Sequence, residues 1–247
     1  MNIFINNNDF EVADSFFATS KYRPFIGISI GSKSPSLEQC LDILKLLLRS
    51  SSNSMPIMFA DEIDLINCQV FGDSATRAAK KVARKKLVHV ELWQAALSNL
   101  TEEERSRFIF VDWACIKTPK LIYQQSVIRE SFHEQEHLYE TIISLVSCLM
   151  SNGGKTVTHK RCLEMAEYVI QELPTLLFGI DYDGINHQLC FYPTCNFYDE
   201  MEVFLEDIRT KSCYSILRTK LACEVGDYLK MFSCLFGEKN VQVLSWK

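Results

Sequence analysis

The sequence predicts an α/β protein, a parallel sheet with helices on both faces, built as one domain over residues 1–247. Three observations point there. Short apolar runs rich in β-branched or aromatic residues stand at 25–30, 55–60 and 108–113. Stretches with apolar residues at helical spacing separate them. The length, 247 residues, suffices for a complete α/β core and does not demand a second domain.

Taken in order, residues 1–22 read as a loose, polar lead-in. The first run, Phe25-Ile26-Gly27-Ile28-Ser29-Ile30, closes on Gly31-Ser32 and predicts a buried strand entering a tight turn. Ser36 is a fitting N-cap for a helix over about 36–50, with Leu41, Leu44, Leu47 and Leu48 as its apolar face. Met55–Ala60 predicts a second strand. A long helix follows over about 74–98, with Ala78, Val82, Leu92 and Leu97 facing inward. Thr101 and Glu104 are spaced as a capping box, and Phe108–Trp113 predicts the third strand. A helix over about 119–150, continuous or broken, ends at Asn152-Gly153-Gly154. Another runs from Thr158 to Pro174. Leu176–Ile180 and Gln188–Tyr192 read as late strands, and 198–211 and 214–236 as helices.

Composition narrows the class. At 47% hydrophobic and 23% charged residues the chain reads as globular. It has no apolar run near the roughly 20 residues of a membrane helix. Met1–Asn8 lacks the pattern of a secretory signal, so a cytoplasmic protein with no membrane partner is expected. The ten cysteines are scattered without a C-x-x-C pair and read as reduced, mostly core thiols. Net charge is −5, yet residues 77–86 carry Arg77, Lys80, Lys81, Arg84, Lys85 and Lys86 with no acid, leaving −11 on the rest. A basic island on an acidic chain favours a polyanion over general stickiness.

Some familiar signatures are absent. The chain has neither G-x-G-x-x-G nor G-x-x-x-x-G-K-[ST], which removes nicotinamide and P-loop nucleotide chemistry. Gly27-Ile28-Ser29-Ile30-Gly31 matches the hydrolase elbow by letters, but on the first strand, with a β-branched residue where the elbow makes its strained turn. His133-Glu134-Gln135-Glu136-His137 matches H-E-x-x-H by letters, but its charged middle reads as an exposed helix face, and no metal is expected.

The residues of the first turn leave Ser29 open as nucleophile, ligand contact or ordinary backbone-bonded serine. The helix ending at Pro174 adds a second constellation. Tyr168 and Glu172 stand one turn apart on one face, while Val169, Ile170 and Leu173 form the apolar side. A carboxylate and a phenol converging beside a strand end make an ammonium receptor; the same pair also occurs on plain helix surfaces.

Together these residues resemble the cyclodipeptide synthases. That family has a serine nucleophile after an aliphatic-Gly-aliphatic run, matched by Ile26-Gly27-Ile28-Ser29, and a Tyr-aliphatic-x-x-Glu-x-Pro motif, matched by Tyr168–Pro174. A further tyrosine follows about twenty residues on, matched by Tyr192. Tyr192-Pro193, with Ser32 rather than Asn after the nucleophile, resembles the Tyr-Pro subfamily. The resemblance spans roughly residues 23–195. The chain departs from the family at Arg23, where a His is frequent, and at Phe25, where an aliphatic is usual.

The resemblance implies a Rossmann-like fold similar to the catalytic domain of class I tyrosyl- and tryptophanyl-tRNA synthetases. It implies a tRNA-dependent aminoacyltransferase that uses two aminoacyl-tRNAs and no cofactor. Two peptide bonds would form through a Ser29-linked aminoacyl- and then dipeptidyl-enzyme, releasing a cyclic dipeptide. In that scheme Glu172 and Tyr168 hold the first ammonium, the second aminoacyl-tRNA supplies the attacking amine, and Tyr192 assists proton transfer. Phe25, Gly27, Ser32 and Pro193 would line the substrate pocket. Arg77, Lys80, Lys81, Arg84, Lys85 and Lys86 would meet tRNA phosphates. Enzymes that tailor the ring are further candidate partners. The alternatives from other classes are a non-catalytic tRNA-binding protein and a serine esterase.

Overall fold

A computed structural model describes residues 23–31, 34–50, 53–191, 203–204, 207–208 and 211–221. The expected lead-in at 1–22, and Ser32, Tyr192 and Pro193, lie outside the described residues, as does most of the expected C-terminal helix. Four parallel strands form the sheet in the order β3-β2-β1-β6: β1 Pro24–Ile28, β2 Met55–Phe59, β3 Phe108–Asp112 and β6 Leu189–Phe191. β1 and β2 are buried at every residue, which is why both read as unbroken apolar runs. Their register sets Gly27 against Met58 and Ile28 against Phe59, and Ala60 N donates to Ile28 O at 2.9 Å. The strand expected through 30 thus ends at Ile28, and Ser29 is the first residue past it, although Ile30 remains buried.

Local capping positions several helices. α1 (Leu37–Ser50) starts at Ser36, whose Oγ accepts from Gln39 N at 3.2 Å while Gln39 Oε1 accepts from Ser36 N at 2.5 Å. α2 (Asp61–Val70) was not anticipated from the sequence. It opens directly after β2 with Asp61, Glu62 and Asp64 in its first turn, where the helix dipole favours acids. α3 (Ala75–Leu97) is capped by Ser74; Ala78, Val82, His89, Trp93, Ala96 and Leu97 are buried, and the expected Leu92 packs partly buried against the same cluster. The expected capping box at Thr101 and Glu104 forms on the short α4 (Glu102–Arg105). Trp113, expected to end β3, instead starts the short α5 (Trp113–Ile116), its N–H donating to Asp61 Oδ1 at 3.2 Å.

The region expected as a helix over 119–150 is two helices, α6 (Pro119–Glu134) and α7 (Glu136–Asn152), broken at extended Gln135. α8 (His159–Phe178) runs through Pro174 rather than ending there, because Leu173, Thr175 and Leu177 of its last turns are buried in the core. Leu176–Phe178 is therefore helical and not the expected strand. Gly179, at φ 76, stops α8 and turns the chain into the antiparallel hairpin β4 (Ile180–Tyr182) and β5 (Ile185–His187). Asp183-Gly184, both at positive φ, forms its two-residue turn. A 3₁₀ turn at Ser212–Tyr214 leads into α9 (Ser215–Leu221).

Two hydrophobic clusters result. One surrounds the sheet, α1, α2 and α3; the other joins α6, α7, α8, α9 and Phe204. All described cysteines are free thiols. Cys40, Cys68, Cys162 and Cys190 are buried, and burial pushes the Cys40 thiol up to about 12, whereas Cys115 and Cys213 are exposed and depart from the core-thiol expectation. Among the described residues, no helix is long and apolar enough to cross a membrane.

Candidate active site

The site is built at the carboxyl edge of the sheet, where α/β folds bind ligands. Ser29 leaves β1 there with 7% of its surface exposed. Its φ is not positive, and the helix that follows starts only at Leu37, so it lacks the strained strand-to-helix turn of a hydrolase elbow. The turn continues to Gly31, where a Cβ would stand 2.7 Å from Asp64 Oδ1. Gly31 thus lets the turn approach α2 closely. Asp64 was not singled out in the sequence. It is 2% exposed, its Oδ1 accepts from Asn67 Nδ2 at 3.0 Å, and burial raises its pKa despite Asn67, Lys85 and Lys81. An aspartate one turn into a helix carries no sequence signal of burial.

α2 packs in turn against α8. Tyr168 contacts both hydrophobic clusters, the sheet cluster that includes Ile28 and Ile30 and the helical cluster. Glu172, one turn later, is 6% exposed, and Thr175 Oγ1 donates to its carbonyl at 2.8 Å. α2 thus touches both the turn that follows Ser29, through Asp64, and the helix that carries Tyr168 and Glu172. Gly27 is buried at the strand centre. Phe25, expected in a substrate pocket, has no exposed surface and sits inside the sheet cluster. Ser32, Tyr192 and Pro193 lie outside the described residues.

The basic run divides by structure. Arg77 Nε and Lys81 Nζ lie 2.9 and 3.0 Å from Asp73, a carboxylate just outside the ten-residue window. Lys86 turns toward the sheet, 2.7 Å from Asp61 and 2.6 Å from Asp112, and ties the ends of β2 and β3 together. Burial lowers its pKa, but the two carboxylates outweigh this and raise it. The run expected to lack compensating acids is therefore compensated at Arg77, Lys81 and Lys86. Lys80, Arg84 and Lys85 make no ion pair among the described residues, and Lys80 and Arg84 are exposed.

The H-E-x-x-H letters straddle the break at Gln135, so His133 and His137 stand on different helices. His137 packs on Tyr214, ring centroids 5.2 Å apart, and lines a cavity of about 620 Å³ together with Glu140 and Asp207. His187, the histidine a hydrolase triad would need, is buried on β5 and donates from Nδ1 to Pro24 O at 3.1 Å, a structural tie between the hairpin and β1.

No protein-family model matches the sequence, and no curated protein matches it. Solved structures do. A Mycobacterium tuberculosis protein, presented as demonstrating that cyclodipeptide synthetases are related to type I tRNA synthetases, aligns with a TM-score of 0.57 at 16% identity, over 75% of this chain and 79% of that one. AlbC, a cyclodipeptide synthase from Streptomyces noursei, aligns with a TM-score of 0.54 at 17% identity, over 64% and 76%. The cyclodipeptide synthase of Staphylococcus haemolyticus gives 0.53 at 18%, over 70% and 76%. At such identities the likeness is one of fold. The parallel sheet flanked by helices is the fold of cyclodipeptide synthases, as the Ser29 and Tyr168–Pro174 motifs imply.

Proposed function

We propose that the protein is a tRNA-dependent cyclodipeptide synthase, an aminoacyltransferase that joins two aminoacyl groups into a 2,5-diketopiperazine. One observation supports the reading most: in the fold of cyclodipeptide synthases, this chain carries a buried serine just past β1 and, on α8, an acid and a phenol one helical turn apart.

The chemistry follows from an ester that is already activated. Ser29 Oγ attacks the carbonyl of an aminoacyl-tRNA; the bond to the ribose oxygen breaks, and the serine proton passes to that oxygen. One ester replaces another, so the step needs placement more than a strong base. Glu172 and Tyr168 hold the ammonium of the bound residue. A free α-amine titrates near ~8, so a useful share can lose its proton at neutral pH. In the second step the nucleophile is the enzyme-bound amine, not the expected amine of the second aminoacyl-tRNA. Attack by the second amine on the seryl ester would move the dipeptide to tRNA and free Ser29. A dipeptidyl-enzyme requires the enzyme-bound amine to attack the ester of the second aminoacyl-tRNA. The new terminal amine next closes on the seryl ester, the carbonyl–Oγ bond breaks, and the proton returns to Ser29. Tyr192 is the relay the family resemblance suggests for these later steps.

Lys80, Arg84 and Lys85 are the phosphate contacts this reading uses on α3, while Lys86 is occupied between Asp61 and Asp112. The expected result with purified protein and labelled aminoacyl-tRNA is a covalent adduct on Ser29 and a cyclic dipeptide by mass spectrometry, both lost in Ser29→Ala. Label still bound covalently to the variant would refute Ser29 as nucleophile. Binding of tRNA without product would leave a non-catalytic binder, and fast hydrolysis of a simple activated ester without tRNA would favour an esterase.

A further inference from the structure

The helix that carries Tyr168 and Glu172 contains a proline three-quarters of the way along, yet its functional residues sit just before that proline. Pro174 has no N–H for Ile170 O, so the backbone there is the weak point of α8. From α6, Gln125, 8% exposed, donates through Nε2 to Gln171 O at 3.0 Å. One turn along α6, Arg129 grips Glu167 with both ends of its fork, Nε lying 3.1 Å from Oε2. Gln171 Nε2 closes the set on Glu167 Oε1 at 2.9 Å. Burial alone would raise the pKa of Glu167, but Arg129 and Gln171 outweigh it and lower the group.

The spacing gives this ladder its meaning. Residues 167 and 171 form an i, i+4 pair, and so do 168 and 172, each the next residue in the chain. α6 therefore holds the immediate neighbour of each functional side chain, at two points one turn apart. Two fixed points on one helix fix its rotation about its own axis, and that rotation aims Tyr168 and Glu172. The geometry points to Gln125 and Arg129 as positioning residues. Through Gln171 and Glu167 they set the rotation of α8 that aims the ammonium receptor at the seryl-bound amino acid. This inference rests on the synthase reading above. The four side chains touch neither substrate nor Ser29 in that reading; they act through the helix.

The test is a charge swap. Arg129→Glu alone and Glu167→Arg alone are each expected to lower kcat for cyclic dipeptide about ten- to hundredfold, the scale of a small misplacement at the reacting centre. KM for aminoacyl-tRNA stays near wild type, because tRNA is held elsewhere. The two changes combined restore most of kcat, and Arg129→Lys restores part of it. Gln125→Leu, which keeps the volume and loses the donor, lowers kcat in the same way and serves where a charge variant folds poorly. Variants that lower only the Tm while the folded fraction keeps wild-type kcat would overturn the ladder, as would a swap that rescues nothing. Wild-type protein that neither loads Ser29 nor forms product would overturn the synthase reading itself, and the ladder with it. A working wild type with indifferent variants overturns the ladder alone.

Discussion

The sheet half and the helical half of this molecule bury their apolar surface in different ways, and the candidate site sits where they meet. Around the sheet, strand residues such as Ile26 and Ile57 are fully buried in one cluster with α1, α2 and α3, and the parallel register fixes each strand against its neighbour. The helical half has no such ladder. Ile142, Val146, Ile170 and Leu173 meet side chain to side chain, and helix orientation depends on packing and on polar ties such as Arg129–Glu167. Among the described residues, Tyr168 is the one packed against both clusters. Ser29 thus follows a strand of the sheet half, whereas Glu172 stands on a helix whose orientation depends on docking.

The strongest challenge to that comparison is Gly179→Ala. A Cβ there would lie 2.0 Å from His187 O and 2.6 Å from Gln188 Cα, both backbone, and φ is 76°. A loss on the order of 4 kcal/mol or more, or failure to fold, is expected in denaturant unfolding. A wild-type midpoint would mean that the hairpin is not held against the helix end as described.

Next come paired truncations, Ile57→Ala in the sheet half and Ile142→Ala in the helical half. Each residue is fully buried, and each change is expected to cost about 2–5 kcal/mol. Because α8 belongs to both halves, both variants should shift one shared transition seen alike by tryptophan fluorescence and circular dichroism. Two separate transitions would show that the halves fold independently.

The smallest effect is a pH slope. Burial lowers the pKa of His89, with Lys85 adding to the effect, and of His187, where the bond to Pro24 O and Asp181 oppose burial and Arg23 adds to it. Both therefore stay neutral in the fold while the unfolded chain protonates near ~6.5. As pH falls through that value the unfolded state gains protons that the native state refuses. Stability drops by at most about 1.4 kcal/mol per pH unit for each histidine, and levels off once the folded pKa is passed. His187→Asn, which keeps a donor for Pro24 O, should remove one histidine's share of the slope; an unchanged slope would place the acid sensitivity elsewhere.

What was legible in the sequence was local or doubly buried. β1 and β2 showed as continuous apolar runs because every residue of them is buried, and Ser36 and Thr101 were visible as caps because a cap needs only the next three residues. Ser29 and the Tyr168–Glu172 pair stood in motifs short enough to read. The rest required distant partners. α2 owes its place to α8, Pro174 stays helical because the core covers the turn after it, and Lys86 faces inward because Asp61 and Asp112 converge at two strand ends. The amino-acid order by itself determined the first three sheet strands and the caps at Ser36 and Thr101, since those depend on neighbours along the chain. Only the tertiary structure decided which charges pair, where α8 ends and how it is tied to α6, since those depend on neighbours brought from far away.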